Sequence, residues 1–195
     1  MQTARSVHIP NASESWKLLM QSGVGLPVTV GLPLAAFLSS ELGLADQDQN
    51  LIEALVLDGM PVDDPSTAVI EDGSRLALAA GLPGIAGLAM KKNSAVRGLR
   101  GTITHRSLEE ANPRAGRVTL ALYSLVLPAL GGHFLKKGFF ISPAQFQRYA
   151  RFAPDDICRF GDREVSASDL AQELSAGQTP EELFLTASIT GAENE

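Results

Sequence analysis

Two Asp-Gly pairs, Asp58-Gly59 and Asp72-Gly73, stand between short apolar and β-branched runs. Glycine enters positive φ without steric cost, and aspartate hydrogen-bonds its local backbone, so each pair marks a reversal of chain direction. "LIEALVLDG" therefore reads as a strand running into a turn. "MPVDDPSTAVIEDG" continues through a Pro-rich bend and Val69-Ile70 to the second turn. "SRLALAAG" follows as a strand with Leu76 and Leu78 on one face. Turns this tight commit residues 51–81 to largely antiparallel β-structure.

Helices are signalled around these strands. "NASESWKLLMQSG" has a cap at Asn11 or Ser13 and a stop at Gly23. "LPLAAFLSSELG" puts Leu34, Phe37, Leu38 and Leu42 on one stripe, with Pro33 in its first turn and Gly43 at its end. "SPAQFQRYARF" has Ser142 as cap, Pro143 at the first helical position and core-facing Phe146 and Tyr149. "DICRFGDREVSASDLAQELSAG" predicts a hairpin turning at Gly161-Asp162. A helix capped by Ser166 follows it, with Asp169 completing the box. "TPEELFLTASIT", with Thr179 as cap, predicts a last helix.

The remaining strands are "SVHIP", "LPVTV" and "RVTLALYSLVL", the last being the clearest in the chain. "HFLKKGFFI" is expected to pair with it after the Gly131-Gly132 break. "GLAMKKNSAVRGLRGTITH" is expected to be a hairpin turning near Asn93-Ser94, and "RSLEEANPRAG" a loop. The expectation is an α+β fold with a mixed, mostly antiparallel sheet and a helical C-terminal end. Residues 1–90 and 91–195 are expected to pack as one unit.

The chain has 195 residues, 45% apolar and 19% charged, enough for one sizeable core or two small ones. "MQTARSVHIPNASESW" lacks the apolar core of a secretory signal. "VTLALYSLVLPALGG" falls short of the roughly 20 residues of a membrane span. The lone Cys158 excludes an internal disulfide and fits a reducing cytoplasm. The net charge of −6 is segregated: −7 over residues 1–90, +9 over 91–151 and −8 over 152–195. The acidic total argues against nucleic acid. The acidic flanks are expected to neutralise the basic middle.

The strings "VTVGLPLAAFLSSELGL", "IEALVLDGMPVDD" and "VIEDGSRLAL" follow one another between Val28 and Leu78. In this order, residues 28–80 resemble the ubiquitin-like β-grasp of the sulfur-carrier proteins of thiamine and molybdopterin synthesis. The resemblance implies a β-grasp-like N-terminal part, with "SVHIP" as its first strand. Those carriers end in a Gly-Gly whose carboxylate is adenylated and thiolated. This chain ends "GAENE" and its Gly131-Gly132 is internal. The fold is carried over and the activity is not.

Candidate chemistry is sparse. "GLPGIAG" places Gly81, Gly84 and Gly87 after a strand, and Lys91, Lys92, Arg97 and Arg100 follow. The spacing departs from a dinucleotide loop, yet an open backbone nest beside basic residues is a candidate anion site. His8, His105 and His133 have no second ligand at metal spacing. Asp63-Asp64 and Asp155-Asp156 abut prolines and read as turn and cap residues. No cofactor and no metal are expected. The function expected is a non-catalytic binding or adaptor module with a protein partner or self-association. An anion or nucleotide binder using residues 91–117, or an enzyme of unrecognised site, is the alternative.

Overall fold

The computed structural model describes residues 5–81, 112–176 and 180–189. The hairpin expected near Asn93-Ser94 lies outside them. The chain divides into two compact units, Gly25–Ala129 and the pair of segments Met1–Val24 and Leu130–Glu195. The fold is α+β, with mixed, mostly antiparallel strand pairing. Among the described residues, no helix is long and apolar enough to cross a membrane.

In the unit Gly25–Ala129, five strands follow the order β2 (Val24–Val30), β8 (Arg114–Ser124), β7 (Arg75–Ala80), β4 (Ala54–Leu57) and β5 (Met60–Pro61). β4 and β7 are antiparallel, whereas β7 and β8 are parallel. Their registers align Leu57, Leu76 and Leu120 in one row and Leu55, Leu78 and Leu122 in the next. All six leucines are buried. A one-residue slip would turn every one of them outward. A separate pair joins β3 (Leu32–Pro33) to β6 (Val69–Ile70).

Both Asp-Gly pairs are turns. Asp58 at φ 51° and Gly59 at φ 82° join β4 to β5 through two residues. Positive φ at both positions is what a type I′ hairpin needs. The Asp58 carboxylate also accepts from the Arg75 N–H at 2.7 Å and the Ser74 hydroxyl at 3.1 Å, tying the turn to β7. At the second pair the Ser74 N–H donates to the Glu71 carbonyl at 3.1 Å around Gly73, whose φ is 83°.

The helix expected from Leu34 starts as α2 (Leu34–Ala36) and widens into a π-helical turn, Phe37–Glu41. Leu34, Phe37, Leu38 and Leu42 are buried, as their spacing predicts. The widened turn brings Glu41 to the Thr29 N–H, at 2.7 Å. A short helix, α3 (Asp46–Leu51), takes the residues before β4, so the expected strand "LIEALVL" begins only at Ala54.

In the other unit the strand order is β11 (Arg163–Ser166), β10 (Ile157–Phe160), β1 (Arg5–Ile9), β12 (Leu183–Ala187), β9 (Phe139–Ile141). β1 and β12 are parallel and the other pairs antiparallel. Helices α1 (Trp16–Ser22), α5 (Pro143–Phe152) and α6 (Ala167–Ala176) form where predicted, though α1 starts after Ser15, with no side-chain cap, and not from Asn11 or Ser13; α4 (Val126–Lys137) was not predicted. The Ser142 hydroxyl accepts from the Gln145 N–H at 3.2 Å, and the Gln145 side chain accepts from the Ser142 N–H at 2.9 Å, which makes a reciprocal cap. Ser166 and Asp169 cap α6 likewise, Ser166 accepting from the Asp169 N–H at 3.1 Å and donating to its carboxylate at 2.7 Å.

Three further expectations are corrected. Strand β8 starts at Arg114, inside the segment "RSLEEANPRAG" expected as a loop, and ends at Ser124. Residues 126–137 are helix, not a strand end and a partner strand, and only Phe139–Ile141 of "HFLKKGFFI" is extended. Leu127, Leu130 and Phe134 recur at helical spacing and are buried. Gly131 survives mid-helix because the Trp16 ring occupies the space of its missing Cβ. The expected last helix contains a strand, β12. Leu183, Leu185 and Ala187 are buried and alternate with half-buried Phe184 and Thr186, and pairing with both β1 and β9 outweighs the local helix signals.

Candidate functional site

Two of the polar groupings in the unit that contains β1 contrast with each other. The first is closed. Asp156 accepts from the Ser13 N–H at 2.9 Å and from the Tyr149 hydroxyl, while its own carbonyl accepts from the Ala167 N–H at 2.8 Å. Cys158, two residues on, is fully buried in β10. Burial first, and then the charge of Asp156, pushes the Cys158 thiol up to about 12. Burial, followed by the hydrogen bond and charge of Asp156, raises the Tyr149 hydroxyl above its ordinary value. Neither group can act as a nucleophile or proton carrier near neutral pH. This cluster joins the chain before α1, the end of α5 and the start of β10.

The second is open. A cleft of about 570 Å³ lies at the turn between β10 and β11. It is lined by Arg5, Ser6, Phe160, Gly161, Asp162, Arg163 and Glu173. Gly161, at φ 62°, and Asp162 form the two-residue loop that closes Phe160 against Arg163. Phe160 is buried, and the guanidiniums of Arg5 and Arg163 lie 5.9 and 5.8 Å from its ring centroid. Both are within cation–π range. Arg163 Nη2 also donates to both carboxylate oxygens of Glu173, at 2.7 Å each. Among the described residues, Arg5 has no acidic partner.

The predicted anion site is not assembled by the described residues. Of its members only Gly81 is described, at the end of β7 with φ 64° and with Glu53 Oε2 nearest to its absent Cβ, at 3.2 Å. Gly84, Gly87, Lys91, Lys92, Arg97 and Arg100 lie outside the described residues. Of the later basic residues, Arg114 turns its side chain to an acidic neighbour, while Arg117 reaches one through its backbone. Arg114 pairs with Glu71 at 2.6 Å, and the Arg117 N–H donates to Asp72 at 2.8 Å.

The other sequence candidates are dispersed. His8 bonds the Thr186 hydroxyl at 2.9 Å, and His133 sits edge-on to Phe134. Among the described residues, no three His, Cys, Asp or Glu side chains are grouped to hold a metal. Asp64 accepts from the Ser66 hydroxyl and N–H, which hold its carboxyl below the usual range, as in a turn. The Arg5–Phe160–Arg163 grouping has no local signature, because its members are brought together by the adjacency of β1 and β10. The one sequence trace of it is the Gly161-Asp162 turn. Comparison with protein-family models, with curated proteins and with solved structures finds no match to this chain.

Proposed function

We propose that the chain is a non-catalytic binding module whose ligand, on a protein partner or free, places an acidic group in the cleft beside Arg5. The observation that carries this reading is the contrast between the two polar groupings. In the Asp156 cluster the Ser13 N–H and the Tyr149 hydroxyl donate to the Asp156 carboxylate, and burial pushes the Cys158 thiol up to about 12. The cleft is open and holds the Arg5 guanidinium over the Phe160 ring, in no ion pair among the described residues. Arginine presents a planar fork that matches a carboxylate.

Self-association by edge pairing has less support. One end strand of each order is short: β11, four residues with Arg163 and Glu164, and β5, two residues ending in Pro61. Short, charged or proline-bearing edges resist strand addition. A cytoplasmic location belongs to the same proposal, supported by the single free, buried cysteine. The test is a thermal-shift panel of amino acids, short acidic peptides and phosphates on the parent and on Arg5→Gln. Stabilisation of the parent that is lost in the variant, with the compound recovered unchanged, supports the reading. A flat panel, or equal stabilisation of both proteins, overturns it.

A further inference from the structure

We infer that the ligand of this cleft carries two opposite charges, one carboxylate and one cationic group, presented together. The inference rests on the binding reading above and names the chemistry that the cleft selects. Four charged side chains line it, Arg5, Asp162, Arg163 and Glu173. Arg163 and Glu173 satisfy each other through two hydrogen bonds from one nitrogen. Arg5 and Asp162 remain, both exposed and neither in an ion pair among the described residues.

The strand register explains why these two charges share a rim. β1 and β10 are antiparallel, with Val7 opposite Phe160 and His8 opposite Arg159. The pairing ends at Val7 and Phe160, so Ser6 and Arg5 continue past it beside the Gly161-Asp162 turn. Arg5 follows the same face as Val7 and so lies over Phe160 instead of reaching along the turn. Asp162, in that turn, lines the same cleft.

The balance of charge excludes the simpler ligands. With Arg163 and Glu173 neutralising each other, a phosphate dianion would meet Asp162 as well as Arg5. A polyamine would meet Arg5 as well as Asp162. A ligand with one charge of each sign meets an opposite charge at both ends and leaves the Arg163–Glu173 pair intact. Phe160 is only 8% exposed, so it orients the arginines and offers little apolar surface to a ligand. The volume, about 570 Å³, lies within the range of small-ligand sites and accommodates a dipeptide.

The test uses three blocked dipeptides, acetyl-Glu-Lys-amide, acetyl-Glu-Gln-amide and acetyl-Gln-Lys-amide, titrated into the full chain. The amide signals of Gly161 and Asp162 are followed by NMR. The doubly charged probe is expected to bind at least about tenfold more tightly than either singly charged one. Arg5→Gln should reduce its affinity to that of acetyl-Gln-Lys-amide, and Asp162→Asn to that of acetyl-Glu-Gln-amide. The swap Arg5→Asp with Asp162→Arg should restore binding that Arg5→Asp alone abolishes. If acetyl-Glu-Gln-amide binds as tightly as acetyl-Glu-Lys-amide, the two-charge inference falls while the binding module stands. If none of the three moves those signals at millimolar concentration, the inference falls, and the thermal-shift panel decides the binding module separately.

Discussion

Gly131 lies in the middle of α4 directly against Trp16: a Cβ at this position would sit 2.2 Å from indole Cζ3 and 2.4 Å from Cη2. On an exposed helix face, alanine would improve on glycine by about 1 kcal/mol. Here the indole is buried and its ring cannot simply swing aside. Gly131→Ala should therefore be net destabilising, by about 1–2 kcal/mol, since overpacking costs about 1–3 kcal/mol. Trp16 is the sole tryptophan of the chain. Its fluorescence through a urea titration reports both the lost stability and any change in the ring's surroundings. An unchanged or higher midpoint would show that the contact is soft.

The β4–β5 turn separates two effects that are usually mixed. A Cβ on Gly59 would touch nothing within 4 Å, so Gly59→Ala tests backbone conformation alone, at φ 82°. The expected loss is about 1 kcal/mol. Asp58→Ala removes two hydrogen bonds to β7 and also puts alanine at φ 51°. It should cost clearly more than Gly59→Ala in the same denaturant series. Equal losses would mean that the carboxylate does not hold the turn.

These turns were legible because their cause is local. Asp58-Gly59, Gly161-Asp162, the Ser142–Gln145 cap and the Ser166–Asp169 cap each involve residues within four positions of one another. The misread segments have distant causes. Residues 183–187 become a strand because β1 and β9 lie on either side of it, which no signal within "TPEELFLTASIT" can announce. Residues 126–137 become a helix despite two adjacent glycines, and one of those glycines is explained only by Trp16, more than a hundred positions away. The cleft was hidden for the same reason. Arg5 and Arg163 meet on Phe160 because β1 lies beside β10.

Cys158 should be inert in the folded chain. It is fully buried, and its thiol is pushed up to about 12 from an ordinary value near 9. A thiol reagent at pH 8 should label it only after denaturant is added. The same shift fixes the alkaline behaviour. Between about 9 and 12 the unfolded chain loses this proton while the folded chain keeps it, so stability must fall as pH rises through that window. Below pH 9 both states hold the proton and the curve is flat with respect to this group. Tyr149, also raised, adds to the decline above its ordinary value near 10. Cys158→Ala should make the alkaline decline shallower. An identical slope in parent and variant would assign the decline elsewhere.

The Asp156 cluster is predicted to hold structure and not to carry chemistry, and two substitutions separate its parts. Tyr149→Phe removes one donor to Asp156 and leaves the buried ring in place, with the Ser13 N–H still donating. Hydrogen bonds to charged groups contribute about 1.5–3 kcal/mol, so a loss in that range is expected by urea unfolding. Asp156→Ala strands the Tyr149 hydroxyl and the Ser13 N–H together, and each donor left without a partner costs about 1–3 kcal/mol. It should therefore be the more damaging change and should loosen the segment before α1 from the end of α5. Faster amide hydrogen exchange at Ser13 in Asp156→Ala, with exchange in β4 and β7 unaltered, is the expected pattern. Uniformly faster exchange through both units would mean instead that the cluster supports the whole chain.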